Sequence, residues 1–348
     1  MKEITGLATG VGSLPHRNAE EALDLVFKYT PEIPFWPQLP KRDKREGMAI
    51  QFMQHIAPIP QSANGEFFGA IAYPSQVEKR LEEFYKRIIS QDIDYFQIRE
   101  DYAKGLYAFK KKLEDKPNLL KDIKFIKCQI SGPFTAAASI KNEEGIAYLH
   151  DSIAMQAFIE GLAMKALWQI KFFEKFGKKI IMFVDEPYLG CFGSAYTSIN
   201  REEVVKGLTE LTRKIKSEDV LVGVHCCGNT DWSIFTDIKT IDIISFDAFS
   251  FLDKLLLYTD NLKSFFKRNG VLCWGVVPTS EFTGKETSDL LISKLNIGIE
   301  TLVKKGIDRS TVLNNLLISP SCGMGSLDTK TAENILAVLS EVSKNLRK

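Results

Sequence analysis

The chain has 348 residues, 45 % of them hydrophobic, and its 45 basic and 44 acidic side chains leave a formal charge of +1. That size and apolar content can bury a full core, and charges of both signs are interspersed, which argues against a nucleic-acid surface or an anionic membrane as partner. No apolar run is long enough to span a bilayer, and MKEITGLATGVGSLP lacks the basic start and apolar stretch of a signal peptide, so a cytoplasmic location with free or metal-binding cysteines is expected.

In chain order, GLATGVGS (6–13) reads as a first buried strand, AEEALDLVFKY as a helix and PFWPQL (34–39) as a second strand. The next strand-like run, FIKCQIS (125–131), comes only after KREGMAIQFMQHIAPIP and two charged helical patterns, so 41–124 is expected as an insertion or lid. There follow an Ala/Met/Leu-rich helical stretch over 143–175, the strand KIIMFVDE (179–186), the helix REEVVKGLTELTRKIK and the strand VLVGVHCC (220–227). DIISFDAF (242–249), VLCWGVV (271–277) and NNLLISPSC (314–322) complete the strands, with DKLLLYTDNLKSFFKRN, SDLLISKLNIGIETLVKKG and TKTAENILAVLSEVSKNL as helices between and after them. Eight buried strands alternating with amphipathic helices predict a single (β/α)8 TIM barrel over 1–348, with its insertion after the second strand. The strand ends then converge on one mouth.

Of six cysteines and four histidines, one His and two Cys fall together in VLVGVHCCGN. Side chains alternate along a strand, so His225 and Cys227 share a face and Cys226 points away into packing. Cys322, at the end of the last strand, can reach across the mouth to complete a Cys2His set. Asp247, ending the neighbouring sixth strand, is the candidate oxygen ligand or supporting partner. Three protein ligands with one exchangeable position is the pattern of a catalytic Zn2+, and two thiolates make the metal better at holding a thiol than at activating water. Cys128, Cys191 and Cys273 read as small buried hydrophobes.

Other groups at the mouth suit a small polar substrate. VDEP places Asp185 and Glu186 together, and alternation lets only one of them face the mouth; a helix N-cap is the competing role. Gly12 and Ser13 can offer N–H groups and a hydroxyl to a carboxylate, with His16 and Arg17 nearby. FWPQLPKR supplies Gln38 and two aromatics, as a flat wall or as core. His55 and His150 read as ordinary side chains in helical contexts.

The ordered set GVGSLP (10–15), ISGPFT (130–135), VDEP (184–187), HCCGNT (225–230), DIISFD (242–247) and SCGMGSL (321–327) resembles the catalytic barrel of cobalamin-independent methionine synthase. The wider grouping includes uroporphyrinogen decarboxylase and the zinc corrinoid methyltransferases. The resemblance implies zinc ligands at His225, Cys227 and Cys322, with Asp247 where the family has a glutamate. It implies that Ser13 holds an amino-acid carboxylate and Asp185 its amino group, with Gln38 in place of a second acidic contact.

The folate-using synthase has two fused barrels and this chain has length for one, as in single-barrel forms held to take methyl from a corrinoid. The implied reaction is methyl transfer from a methyl-corrinoid, carried by a partner protein, to homocysteine in methionine biosynthesis. The rival expectations are transfer to another thiol such as coenzyme M, a decarboxylase of the porphyrin type, and a non-catalytic zinc-binding protein. The decarboxylase would want arginines that these strand ends do not supply.

Overall fold

The computed structural model describes residues 4–57, 74–142, 144–194 and 199–348. Seven parallel strands form one sheet: β1 (Leu7–Ala8), β2 (Phe125–Ser131), β3 (Lys179–Asp185), β4 (Val220–Cys226), β5 (Ile243–Phe246), β6 (Val271–Val277) and β7 (Leu316–Pro320). Their spatial order is β1-β7-β6-β5-β4-β3-β2, and the sheet is strongly curled and open, a half-barrel. The parallel α/β expectation holds, but a closed ring of eight strands is not what the ladder forms.

The difference lies at PFWPQL. This stretch makes two isolated bridges, Ser13 with Gln38 and Phe35 with Lys127, and no continuous ladder. Pro34, Pro37 and Pro40 have no N–H to donate, which breaks the alternating pattern a strand needs on both sides. Side chains bind it instead: the Trp36 indole donates to Gln169 Oε1 at 2.9 Å, and Gln129 Nε2 donates to the Trp36 carbonyl at 3.0 Å. Phe35 and Trp36 are fully buried, so of the two readings open for these aromatics the structure bears out core.

The helices are α1 (Ala19–Tyr29), α2 (Pro74–Ile89), α3 (Lys104–Asp115), α4 (Pro133–Ser139), α5 (Ser152–Glu174), α6 (Arg201–Ile215), α7 (Ser233–Asp237), α8 (Ala248–Leu255), α9 (Thr259–Lys267), α10 (Ser288–Lys304), α11 (Arg309–Asn314) and α12 (Thr329–Leu346). Local chemistry sets their starts: Asn18 Oδ1 accepts from Glu20 N at 2.8 Å, and Asn200 with Glu203 forms a capping box at α6. The expected insertion contributes α2, α3 and short 3-10 turns, while residues 58–73 within it lie outside the described residues. The helix expected over 143–175 runs from Ser152, and position 143 also lies outside them. His55 is in no helix and has φ of 63°, and His150 ends a 3-10 turn. Among the described residues, no helix is long and apolar enough to cross a membrane.

The sheet separates two apolar regions. Outside the curl, the helices pack on residues such as Ile130, Val184, Val224 and Trp274; inside it, Leu7, Phe125, Ile181, Phe183, Ile243, Val271 and Leu317 form a smaller core. Gly223 leaves room for that inner core, since a Cβ there would stand 2.3 Å from the Phe183 ring. Above Phe183 the inner face turns polar. Ser131 pairs with Asp185, Asp185 with His225, His225 with Ser245, and Ser245 with Cys273, one register row running across five strands.

Candidate metal centre

His225 sits near the end of β4 and Cys227 just beyond it, while Cys322 follows β7 by two residues. Curling brings these strand ends together: one ligand atom from each of the three residues lies within 4.8 Å of the others. His225 is 2 % exposed, and its Nδ1 lies 2.9 Å from Ser245 Oγ, whereas its Nε2 is buried with no partner among the described residues. An imidazole nitrogen left unsatisfied beside two thiols, with its other nitrogen anchored, is the arrangement a tetrahedral metal site requires of His. The donor set therefore fits zinc.

The two thiols share a proton unequally. A hydrogen bond from Cys227 pulls the Cys322 thiol well below the usual range, and the Cys227 thiol is pushed up correspondingly. The neighbouring Cys226 points into the helix layer, where burial pushes its thiol up to about 12, as alternation requires. Cys128 and Cys273 are buried as expected, but Cys191 is exposed, because it closes the short turn after β3. That turn passes against the loop after Cys227, and a Cβ on Gly228 would lie 2.8 Å from the Gly190 Cα.

Of the adjacent carboxylates, Asp185 faces the site and Glu186 does not. Asp185 is 4 % exposed and its Oδ1 has no partner among the described residues. Burial raises its pKa, opposed by the charges of Lys127 and His225. Glu186 turns outward and caps α4, accepting from Phe134 N at 3.0 Å, Thr135 N at 2.8 Å and the Thr135 hydroxyl at 2.6 Å. Its carboxyl is pushed up to about 7 by burial, against those three hydrogen bonds. Asp247 acts as a cap as well, accepting from Ser250 N at 2.9 Å at the start of α8, and it is not part of the three-residue group.

A cavity of about 390 Å3 opens beside the thiols, lined by Ser13, Gln38, Asp185, His225, Cys227 and Cys322 together with Val11, Glu46 and Met48. Gly12 is packed behind it, where a Cβ would approach Gln38 Oε1 to 2.8 Å. The Ser13 hydroxyl accepts from Gly325 N at 3.1 Å, and Gln38 donates to Gln51 Oε1 at 2.7 Å. No lysine or arginine is among the described residues lining the cavity.

Glu46 and Lys127 were not singled out by the sequence reading. Glu46 is fully buried, pairs with Arg42, and accepts from Leu39 N at 3.1 Å. It lies in a charged run where nothing but burial marks it out. Lys127 is fully buried under the site; its ammonium donates to the Val11 carbonyl and to Gln129 Oε1 at 3.0 Å, and burial lowers its pKa to about 8. A single cation inside the apolar run FIKCQIS was the available signal. His16 is buried, its Nδ1 has no partner among the described residues, and it is not among the residues lining the cavity.

No known family model matches this chain, and no curated protein matches it. The site thus rests on its own geometry.

Proposed function

We propose that the protein is a zinc-dependent thiol methyltransferase, with homocysteine as the methyl acceptor and a methyl-corrinoid, carried by a partner protein, as the donor. The observation that carries the reading is the convergence of His225, Cys227 and Cys322 on one point at the wall of a cavity that also holds Asp185. Zinc bound by two sulfurs and an imidazole would supply the positive charge that keeps an incoming thiol in its nucleophilic thiolate form near neutral pH.

The chain's own residues supply position. Asp185, with an unpartnered oxygen, is suited to an ammonium group, and the Ser13 hydroxyl with nearby backbone is suited to the carboxylate of the same amino acid. With carboxylates and, among the described residues, no cationic side chain lining it, the cavity favours an amino thiol over a sulfonate thiol such as coenzyme M, and over a polycarboxylate porphyrin. In the proposed reaction a C–S bond forms at the methyl carbon, the methyl–donor bond breaks with its electron pair left on the donor, and the thiol proton passes to solvent. The same reading takes 34–39 as the counterpart of the eighth barrel strand.

The test is anaerobic incubation of zinc-loaded protein with homocysteine and methylcobalamin, following methylcobalamin absorbance and quantifying methionine. Zinc-dependent methionine formation is the expected result. Tight zinc binding with no methionine, and turnover with a different thiol, would remove homocysteine from the proposal.

A further inference from the structure

We propose that Ser245 is a positioning residue for this centre: its hydroxyl fixes His225 in the tautomer whose bare Nε2 faces the two thiols. The inference rests on reading the site as a metal centre and adds a residue the ligand set does not name.

His225 Nδ1 lies 2.9 Å from Ser245 Oγ, while Nε2, on the side of the thiols, is buried with no partner among the described residues. A nitrogen that ligates a metal must present its lone pair, so the ring proton belongs on Nδ1, where the Ser245 oxygen is placed to accept it. Both residues are at most 2 % exposed, so the contact is shielded from bulk solvent. The sheet builds the row, since His225, Ser245 and Cys273 are register partners on β4, β5 and β6.

A partner on the non-ligating nitrogen typically changes metal affinity about 10- to 100-fold when removed. Zinc affinity is measured by competition with a chromophoric chelator for the wild type, Ser245→Ala and Ser245→Thr, alongside the thermal midpoint of each metal-free protein. Ser245→Ala is expected to bind zinc about 10- to 100-fold more weakly, with a small drop in its metal-free midpoint from the orphaned Nδ1, and Ser245→Thr, which keeps the hydroxyl, to recover most of both.

Nitrogen-15 NMR of the metal-free wild type is expected to show the proton on His225 Nδ1, with a tautomer mixture in Ser245→Ala. Equal zinc affinity in Ser245→Ala and wild type overturns the positioning role while leaving the metal centre standing. Overturning also follows from a wild-type proton on Nε2, or from an affinity loss accompanied by a lowered midpoint that threonine does not restore. A wild type that binds no zinc removes the metal reading itself and the inference with it.

Discussion

Two buried polar atoms of the site, His225 Nε2 and Asp185 Oδ1, have no partner among the described residues, although their residues are neighbours in the ladder. Leaving such an atom unsatisfied costs about 1–3 kcal/mol, so their pairing within one small region is best explained by a ligand that satisfies both. Cys227→Ser and Cys322→Ser are each expected to lose zinc and turnover together, measured as bound metal after dialysis and as methionine formed. Full zinc and full activity in Cys322→Ser would remove the site as drawn. Asp185→Asn tests the ammonium contact: KM for homocysteine should rise about 10- to 100-fold, the equivalent of roughly 1.4–2.8 kcal/mol. A homocysteine analogue lacking the amino group should show no such rise. The alternation of side chains made His225 and Cys227 legible from sequence, and made one of Asp185 and Glu186 the group facing the mouth. Ser245 was not legible, because its contact with His225 depends on a cross-strand register that a single strand's pattern does not contain.

Glu186 ties the end of β3 to the start of α4 through three hydrogen bonds, and its acidity gives the joint a pH signature. Its folded pKa of about 7 lies above the ordinary value of 4.5, so the folded protein binds the proton more tightly than the unfolded chain. This contribution to stability is fully present below pH 4.5 and is lost as pH rises through about 7. Glu186→Gln should abolish that component, seen as a flatter dependence of the urea midpoint on pH between these limits, and should cost about 1–3 kcal/mol where its amide meets the α4 N–H groups. Gly223→Ala probes the inner core. A methyl 2.3 Å from the Phe183 ring should destabilise by about 1–3 kcal/mol, read from the same urea curves. The bounds of β2, β3, β4 and β6 followed closely from sequence because strands buried on both faces are continuous apolar runs. The short α4, α7 and α11 were missed because 7, 5 and 6 residues are too few to show a helical period.

At the scale of the whole molecule, the open side of the sheet between β1 and β2 distinguishes this fold from the ring expected of eight strands. β1 has only two residues in the ladder, and the stretch across the gap is held by isolated bridges and by the Trp36, Gln129 and Lys127 side chains. Amide hydrogen exchange should therefore be fastest, among strand residues and the residues bridging them, at Leu7, Ala8 and Gln38. It should be slowest in the middle of β3 and β4, which have neighbours on both sides. Comparable protection at Gln38 and Val222 would show that the gap is as firmly closed as the ladder. The prolines of PFWPQLP were the visible sign that this stretch would not pair like the rest, and the glycines of GLATGVGS that the first strand would be short.

The pairing of β1 with β7 also bears on the order of events during synthesis. The Ser13 carbonyl accepts from Met324 N at 3.0 Å, and its hydroxyl from Gly325 N, so the floor of the cavity joins segments 312 residues apart in the order of translation. Cys322 is the last ligand to leave the ribosome, nearly a hundred residues after His225 and Cys227. A nascent chain can present an imidazole and a thiol to passing metal, but not the complete set. On the proposed zinc reading, selective capture of the metal is deferred until the sheet has curled, and the finished fold, not the emerging peptide, chooses the ion.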